Sequence, residues 1–133
     1  MYKPIEIYVE GKAKHAMQIG RKVLCRNLYL EAFDHRISEV QMHPLFGIGG
    51  VREKIMKALI QKKEGYLEEI TIDMRHIKEF SSWLQTQIEE VSGMGQDPSM
   101  VAIHEKLMHI SLNVHKYESE LELQKTFLEN LSF

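Results

Sequence analysis

The chain has 133 residues, 44% hydrophobic and 27% charged, a composition that fits one globular domain and excludes a disordered chain. No apolar run approaches the roughly 20 residues that span a bilayer, and the N-terminus lacks the basic-then-apolar order of a secretory signal. The single cysteine, Cys25, cannot form an internal disulfide, which indicates a reducing compartment. We therefore expect one cytoplasmic domain over residues 1–133 that does not associate with membranes.

The formal net charge of −2 conceals an uneven distribution of charge along the chain. Residues 1–63 carry 12 Lys and Arg against 6 Asp and Glu, a net charge of +6. Residues 64–133 carry 5 against 13, a net charge of −8. Two such halves neutralise each other within the fold or across a dimer, or else the basic half forms a surface for an anionic partner. Neutralisation is the favoured interpretation.

The first eleven residues predict a short β-strand or an extended arm. In residues 4–10, isoleucine and valine alternate with polar or aromatic residues, and Gly11 follows them. A lone strand needs a partner. Residues 69–72 are the β-rich candidate within the chain, and a second subunit is the alternative.

Helical periodicity covers the rest of the chain, and we predict four helices, at residues 13–41, 51–64, 67–91 and 98–131. Each carries apolar residues at steps of three and four, which places them on one face of an α-helix. Gly20, inside the first helix, indicates that a neighbouring helix approaches closely. Gly65 is expected to cap the second helix, and Asp73 is a candidate N-cap within the third.

The last helix is the element around which the others are expected to pack. Asp97 is a good N-cap, and Pro98 suits the first helical position because the amide it lacks would have no partner there. Its apolar row is interrupted only by Gln124, as that of the first helix is by Arg26. A helix about 50 Å long is too long to be buried in a small globule, so it must support other helices, form a dimer seam, or both.

The positions of the charges favour an antiparallel four-helix bundle. Basic residues gather in the first half of the first helix, and glutamates crowd the end of the last helix, where both oppose the helix macrodipole. In an up-down-up-down bundle these two helices run antiparallel, which brings the two clusters together. In a three-helix arrangement the clusters would lie at opposite ends. An antiparallel dimer is the other way to match them.

A glycine-rich loop connects the first two helices. Residues 45–55, Leu-Phe-Gly-Ile-Gly-Gly-Val-Arg-Glu-Lys-Ile, resemble the hairpin of helix-hairpin-helix modules, whose turn offers backbone amides to a nucleic-acid phosphate. The resemblance implies an anion site formed by Gly47, Gly49, Gly50, Arg52 and Lys54. Glu53 and Phe46 depart from that motif, which has a small residue and a proline at these points. A plain loop between two helices is the favoured interpretation.

Neither a metal site nor a catalytic site is predicted. The seven histidines include no pair at a spacing of four, and no Glu-x-x-His pair occurs on two helices. Cys25 lies within a helix, where cysteine is more often a small hydrophobic residue than a nucleophile. No nucleophile motif or placed acid pair is present, so we expect no enzyme activity and no cofactor.

These features predict a mainly α-helical interaction protein, such as an adaptor, a chaperone-like binder or a regulator, which acts as a homodimer. The apolar end of the last helix is the expected partner-binding surface, formed by Tyr117, Leu121, Phe127, Leu128, Leu131 and Phe133. One alternative is a nucleic-acid-associated protein that uses the glycine loop and the basic half of the chain. A weaker alternative is a bundle that binds a metal or a small ligand.

Overall fold

The computed structural model of the protein describes residues 3–94 and 97–133. Three long α-helices account for almost all of them: α1 (Lys3–Met42), α2 (Val51–Ser92) and α3 (Pro98–Glu129). The prediction of an all-α fold is confirmed. In these two ranges no helix is both long enough and apolar enough to cross a bilayer.

The predicted number of helices is wrong, because residues 51–64 and 67–91 belong to the single helix α2. Gly65 lies in its interior and is exposed, with no atom within 4 Å of the position of a Cβ. A glycine in a helix interior costs about 1 kcal/mol relative to alanine. Burial of Leu59 and Ile70 on either side of Gly65 outweighs this cost, so the helix continues through it. Asp73 is likewise a buried mid-helix residue and not an N-cap.

The predicted N-terminal strand is also wrong, since the described part of residues 1–11 is the first part of α1. Residues 1 and 2 lie outside the described ranges. Val9 is buried, and so are Ala16, Val23 and Leu30, each seven residues further along the helix. This seven-residue spacing gives the segment a helical face in the core, which overrides its local β-propensity.

The helices form a three-helix bundle in which α1 and α3 are parallel and α2 runs antiparallel to both. Residues later in α1 contact residues later in α3, as in the pairs Glu10 with Lys106 and Asn27 with Glu120. The ring of Phe33 on α1 instead contacts that of Tyr66 on α2, whereas Tyr8, near the start of α1, contacts Trp83. The expected match of the basic start of α1 with the acidic end of α3 therefore does not form within one chain.

Two local predictions are confirmed. The carboxylate of Asp97 accepts a hydrogen bond from the amide of Ser99 at 2.9 Å, and Pro98 occupies the first helical position of α3. A Cβ built on Gly20 would overlap the ring of Tyr117 on α3, so this glycine permits a close approach of two helices.

Candidate functional site

The predicted partner-binding residues at the end of α3 mostly belong to the core. Tyr117, Leu121 and Leu128 are buried, and three further residues are half-buried against the core, namely Phe127, Leu131 and Phe133. Lys63 on α2 donates a hydrogen bond to the carbonyl of Leu131 at 3.5 Å, and its ammonium group lies over the ring of Phe133. The end of α3 thus lies against α2 and does not present the exposed apolar patch that the sequence suggested.

The glycine loop reverses the chain between α1 and α2. Its predicted anion-site residues are all exposed: Gly47, Gly49, Gly50, Arg52 and Lys54. Gly49 has a φ of +56°, a left-handed conformation that favours glycine, and Gly50 precedes the first residue of α2. The amides of Phe46, Ile48 and Val51 donate to backbone carbonyls three residues earlier. These three turns reverse the chain between Met42 and Val51, and Leu45 and Ile48 remain exposed on the loop.

An open apolar cavity of about 650 Å³ lies between this loop and the two helix ends. We call it the cup. Its apolar lining consists of Ala32, Val40, Leu45, Phe46, Val51 and Ile55. Leu45 and Val51 are exposed to solvent, unlike the apolar residues of the bundle core. The cup is therefore a concave apolar surface that another molecule can reach.

Polar groups of both charges line the cup on the α1 side, namely His35, Arg36, Glu39 and His43. His35 and Glu39 form an ion pair at 2.9 Å when the imidazole is protonated. Arg52, on α2, is not part of the lining, but its guanidinium group lies 5.6 Å from the centroid of the Phe46 ring, a cation–π contact. Arg36 and Arg52 therefore place positive charge near the apolar surface.

A second cavity, of about 420 Å³, continues the α1–α2 groove toward the middle of the bundle. Cys25 and Tyr29 line it from α1, and Tyr66 and Glu69 line it from α2. Burial raises the pKa of the Tyr66 phenol above its usual value of 10.0, and the neighbouring carboxylate of Glu69 adds to this effect. Cys25 is exposed here, in contrast to the buried position that its helix suggested.

A buried polar layer crosses the bundle, with one residue from each helix. Arg26 donates to the amide oxygen of Gln124 at 3.1 Å and forms an ion pair with Asp73. Gln124 in turn donates to the carbonyl of Val23 at 2.6 Å and to the side chain of Asn27 at 2.9 Å. All three residues of the layer are at least nine-tenths buried, and the contacts above give each of their side chains a partner within the protein.

Arg26 borders the second cavity, but its guanidinium group is engaged by Asp73 and Gln124, so the polar layer contributes to packing within the bundle. Within residues 3–94 and 97–133, no three side chains of His, Cys, Asp or Glu come together as metal ligands. The cup, where apolar residues and cations are open to solvent, is therefore the candidate binding site.

The cup was not identified from the sequence, although one signal for it was present. Leu45, Phe46 and Ile48 are apolar residues inside a loop rich in glycine, where polar residues are usual. No family model, curated protein or solved structure matches this chain.

Proposed function

We propose that the protein is a helical interaction module that acts through protein–protein contacts, with the cup as its partner-binding site. The observation that supports this proposal is the cup itself, an open apolar cavity of about 650 Å³ at the end of a two-helix hairpin. Concave apolar sites with a few polar groups at the rim are typical binding sites. We further propose that the protein works in the cytoplasm as a homodimer and without catalysis.

The chemistry of the cup defines the kind of partner it suits. Apolar walls formed by residues such as Val40 and Ile55 suit a large apolar anchor, such as a leucine or aromatic side chain. Arg36 in the lining and Arg52 beside the Phe46 ring favour an acidic residue next to that anchor. An amphipathic helix with an apolar face and flanking carboxylates has both features.

A photo-cross-linking experiment in native cells tests the cup. A photoreactive amino acid at Leu45 should capture a discrete partner protein, because Leu45 lines the cup and is half-exposed. The same amino acid at Met94, an exposed residue at the far end of α2, serves as the matched control. If both positions capture the same proteins, or if neither captures any protein, the cup is not the partner site.

The captured partner then permits a direct measurement of affinity. Val51→Asp places a charge in the cup at the first residue of α2, where an acidic side chain suits the helix macrodipole. We expect this variant to fold normally and to bind the partner at least about tenfold more weakly. The Met94→Asp variant should bind as the unmodified protein does.

Nucleic-acid binding is a second candidate function, which rests on the exposed cations Arg52 and Lys54 beside the glycine loop. Phosphate contacts are strongest at low ionic strength. An electrophoretic shift with duplex DNA at low salt, lost in the Arg52→Ala/Lys54→Ala variant, would favour this function. The absence of any shift would exclude it. Metal or small-ligand binding is the weakest candidate, and metal analysis of the purified protein tests it.

A further inference from the structure

We infer that the face of the bundle formed by α1 and α3 is the interface of an antiparallel homodimer. This inference rests on the homodimer part of the proposed function and names the surface and its partner, a second copy of this chain. Apart from His35, which borders both surfaces, the interface is distinct from the cup, which lies between α1 and α2.

The outer side of α1 carries a row of residues at alternating steps of four and three. The row, which we call the α1 seam, consists of Glu10, Lys14, Met17, Arg21, Leu24, Leu28, Glu31 and His35. All are exposed except Leu24, which is half-buried. Leu28 is 67% exposed, far more than a leucine facing a core. Met17, Leu24 and Leu28 give the row an apolar centre with charged residues on either side, an arrangement that suits packing against another helix.

A matching row follows the outer side of α3. This α3 seam contains Leu112, Lys116, Ser119 and Leu123, at the same alternating steps. Leu112 and Leu123 are 68% and 65% exposed. Leu123 and Glu31 line one groove of about 350 Å³ between α1 and α3, so the two seams border the same side of the bundle. Together they form a surface two helices wide, which we call the α1–α3 face.

An antiparallel two-fold dimer pairs each seam with itself in one register. On α1, Met17 lies opposite Leu28 of the partner subunit, and Lys14 lies opposite Glu31 of the partner subunit. On α3, Leu112 lies opposite Leu123 of the partner subunit. Both apolar pairs are separated by eleven residues along their helices, about three turns. The two registers also share one axis, since Gly20 and Tyr117, which contact each other, lie near the middle of each pair. Self-complementary pairing of this kind is what a two-fold interface requires.

The charges select the antiparallel arrangement over the parallel one. A parallel two-fold dimer would pair α1 with α3 of the partner subunit and match the same apolar residues. It would also place Arg21 beside Lys116 and Glu10 beside Glu105, which are like charges. The antiparallel dimer avoids both contacts. It also brings the basic first half of α1 alongside the acidic end of α3 of the second copy, the match that does not form within one chain.

The size of the α1–α3 face is adequate for a stable dimer. Residues 10–35 of α1 extend about 38 Å and residues 112–123 of α3 about 17 Å, and each helix is about 10 Å wide, which gives roughly 550 Å² on each copy. The total of about 1,100 Å² exceeds the roughly 1,000 Å² expected of a specific interface.

Cysteine cross-linking tests the register, in a Cys25→Ser background that removes the exposed native thiol. A mixture of Met17→Cys protein with Leu28→Cys protein should form a disulfide-linked dimer, because disulfides require Cβ atoms about 4 Å apart. The matched control is a mixture of Met17→Cys with Leu112→Cys, the pair expected in a parallel dimer. A charge exchange adds a second test: Lys14→Glu should raise the dimer dissociation constant, and Lys14→Glu/Glu31→Lys should restore it.

Light scattering of the unmodified protein and of Leu112→Asp completes the experiment, with Met94→Asp as the control. Two results together support the inference: Leu112→Asp dissociates the dimer, and the mixture of Met17→Cys with Leu28→Cys forms the disulfide-linked dimer. A dimer that cross-links through Met17→Cys and Leu112→Cys, or through neither mixture, overturns the inference but leaves the homodimer standing. A monomer at the highest attainable concentration overturns the inference and the homodimer together, while the cup remains testable by photo-cross-linking.

Discussion

Gly20 of α1 lies directly against the ring of Tyr117 of α3, and a Cβ built on Gly20 would overlap the ring carbons. Both residues are buried, and the neighbouring layers above and below them are filled by other core side chains. The ring consequently cannot move aside without disturbing its neighbours. This contact sets the separation of the two parallel helices.

Gly20→Ala should therefore destabilise the protein, although alanine is the better helix former. Overpacking in a core typically costs about 1–3 kcal/mol, which exceeds the gain of about 1 kcal/mol in helix propensity. Urea unfolding followed by circular dichroism measures the difference. Gly65→Ala is the matched control, since that glycine is in open space within α2 and its replacement should stabilise the fold. Equal effects of the two variants would contradict the assigned role of Gly20.

The buried layer of Arg26, Asp73 and Gln124 predicts unequal effects of single and combined replacements. Asp73→Ala removes the buried carboxylate that pairs with Arg26 and leaves it only the exposed carboxylate of Glu69, 3.6 Å from its Nε. Breaking a buried pair costs about 3–5 kcal/mol, and the remaining contact with Glu69 places the expected loss near the lower end of that range. Replacing all three residues by Met, Leu and Leu removes the charges together and should be far less damaging. Urea unfolding of both variants provides the measurement. A triple variant that is less stable than Asp73→Ala would contradict this expectation. It would show that the polar layer stabilises the fold more than apolar residues at the same positions do.

The helix faces could be predicted from the sequence because apolar spacing reports directly on burial. The cap formed by Asp97 and the close approach at Gly20 are equally local signals, and both were recognised. Elsewhere the local signal misled. The alternation in residues 4–10 predicts a strand, although Val9 begins the seven-residue spacing of buried residues that continues through Ala16. A single exposed glycine, Gly65, predicts a helix end at a point where α2 continues.

The polar layer and the cup could not be predicted, because each is formed by residues that are distant in sequence and that only the packing of the helices brings together. Arg26 and Gln124 were visible as polar interruptions of apolar rows, but only the packing of three helices brings Asp73 to them. Periodicity predicts an apolar face at the end of α3, but it does not distinguish a core from an interface. The cup exists only because the glycine loop places Leu45 beside residues at the end of α1 and the start of α2.

The end of α3 is expected to behave as core in a stability measurement. Leu128 is fully buried, so Leu128→Ala should lower the free energy of unfolding by about 2–5 kcal/mol. Leu45→Ala is the matched control, because Leu45 is more than half exposed and should change stability by less than about 0.5 kcal/mol. Thermal unfolding of the two variants at equal concentration gives the comparison. A small effect at Leu128 would return the end of α3 to the candidate partner-binding surfaces.

Stability should also depend on pH through Tyr66, whose phenol lies between α1 and α2 and contacts the ring of Phe33. Its pKa in the folded protein is raised above 10.0, first by burial and then by the carboxylate of Glu69. The unfolded chain therefore loses this proton at a lower pH than the folded protein does. The contribution of Tyr66 to stability is fully present below pH 10.0 and is lost as the pH rises through the folded pKa.

Tyr66→Phe keeps the ring contact with Phe33 and removes the ionisable group, so its unfolding free energy should fall less steeply above pH 10.0 than that of the unmodified protein. Phenolate absorbance during an alkaline titration identifies the group, because Tyr66→Phe should remove a tyrosine that ionises above pH 10.0. Identical pH profiles for the two proteins would show that the phenol is as accessible in the folded state as in the unfolded chain.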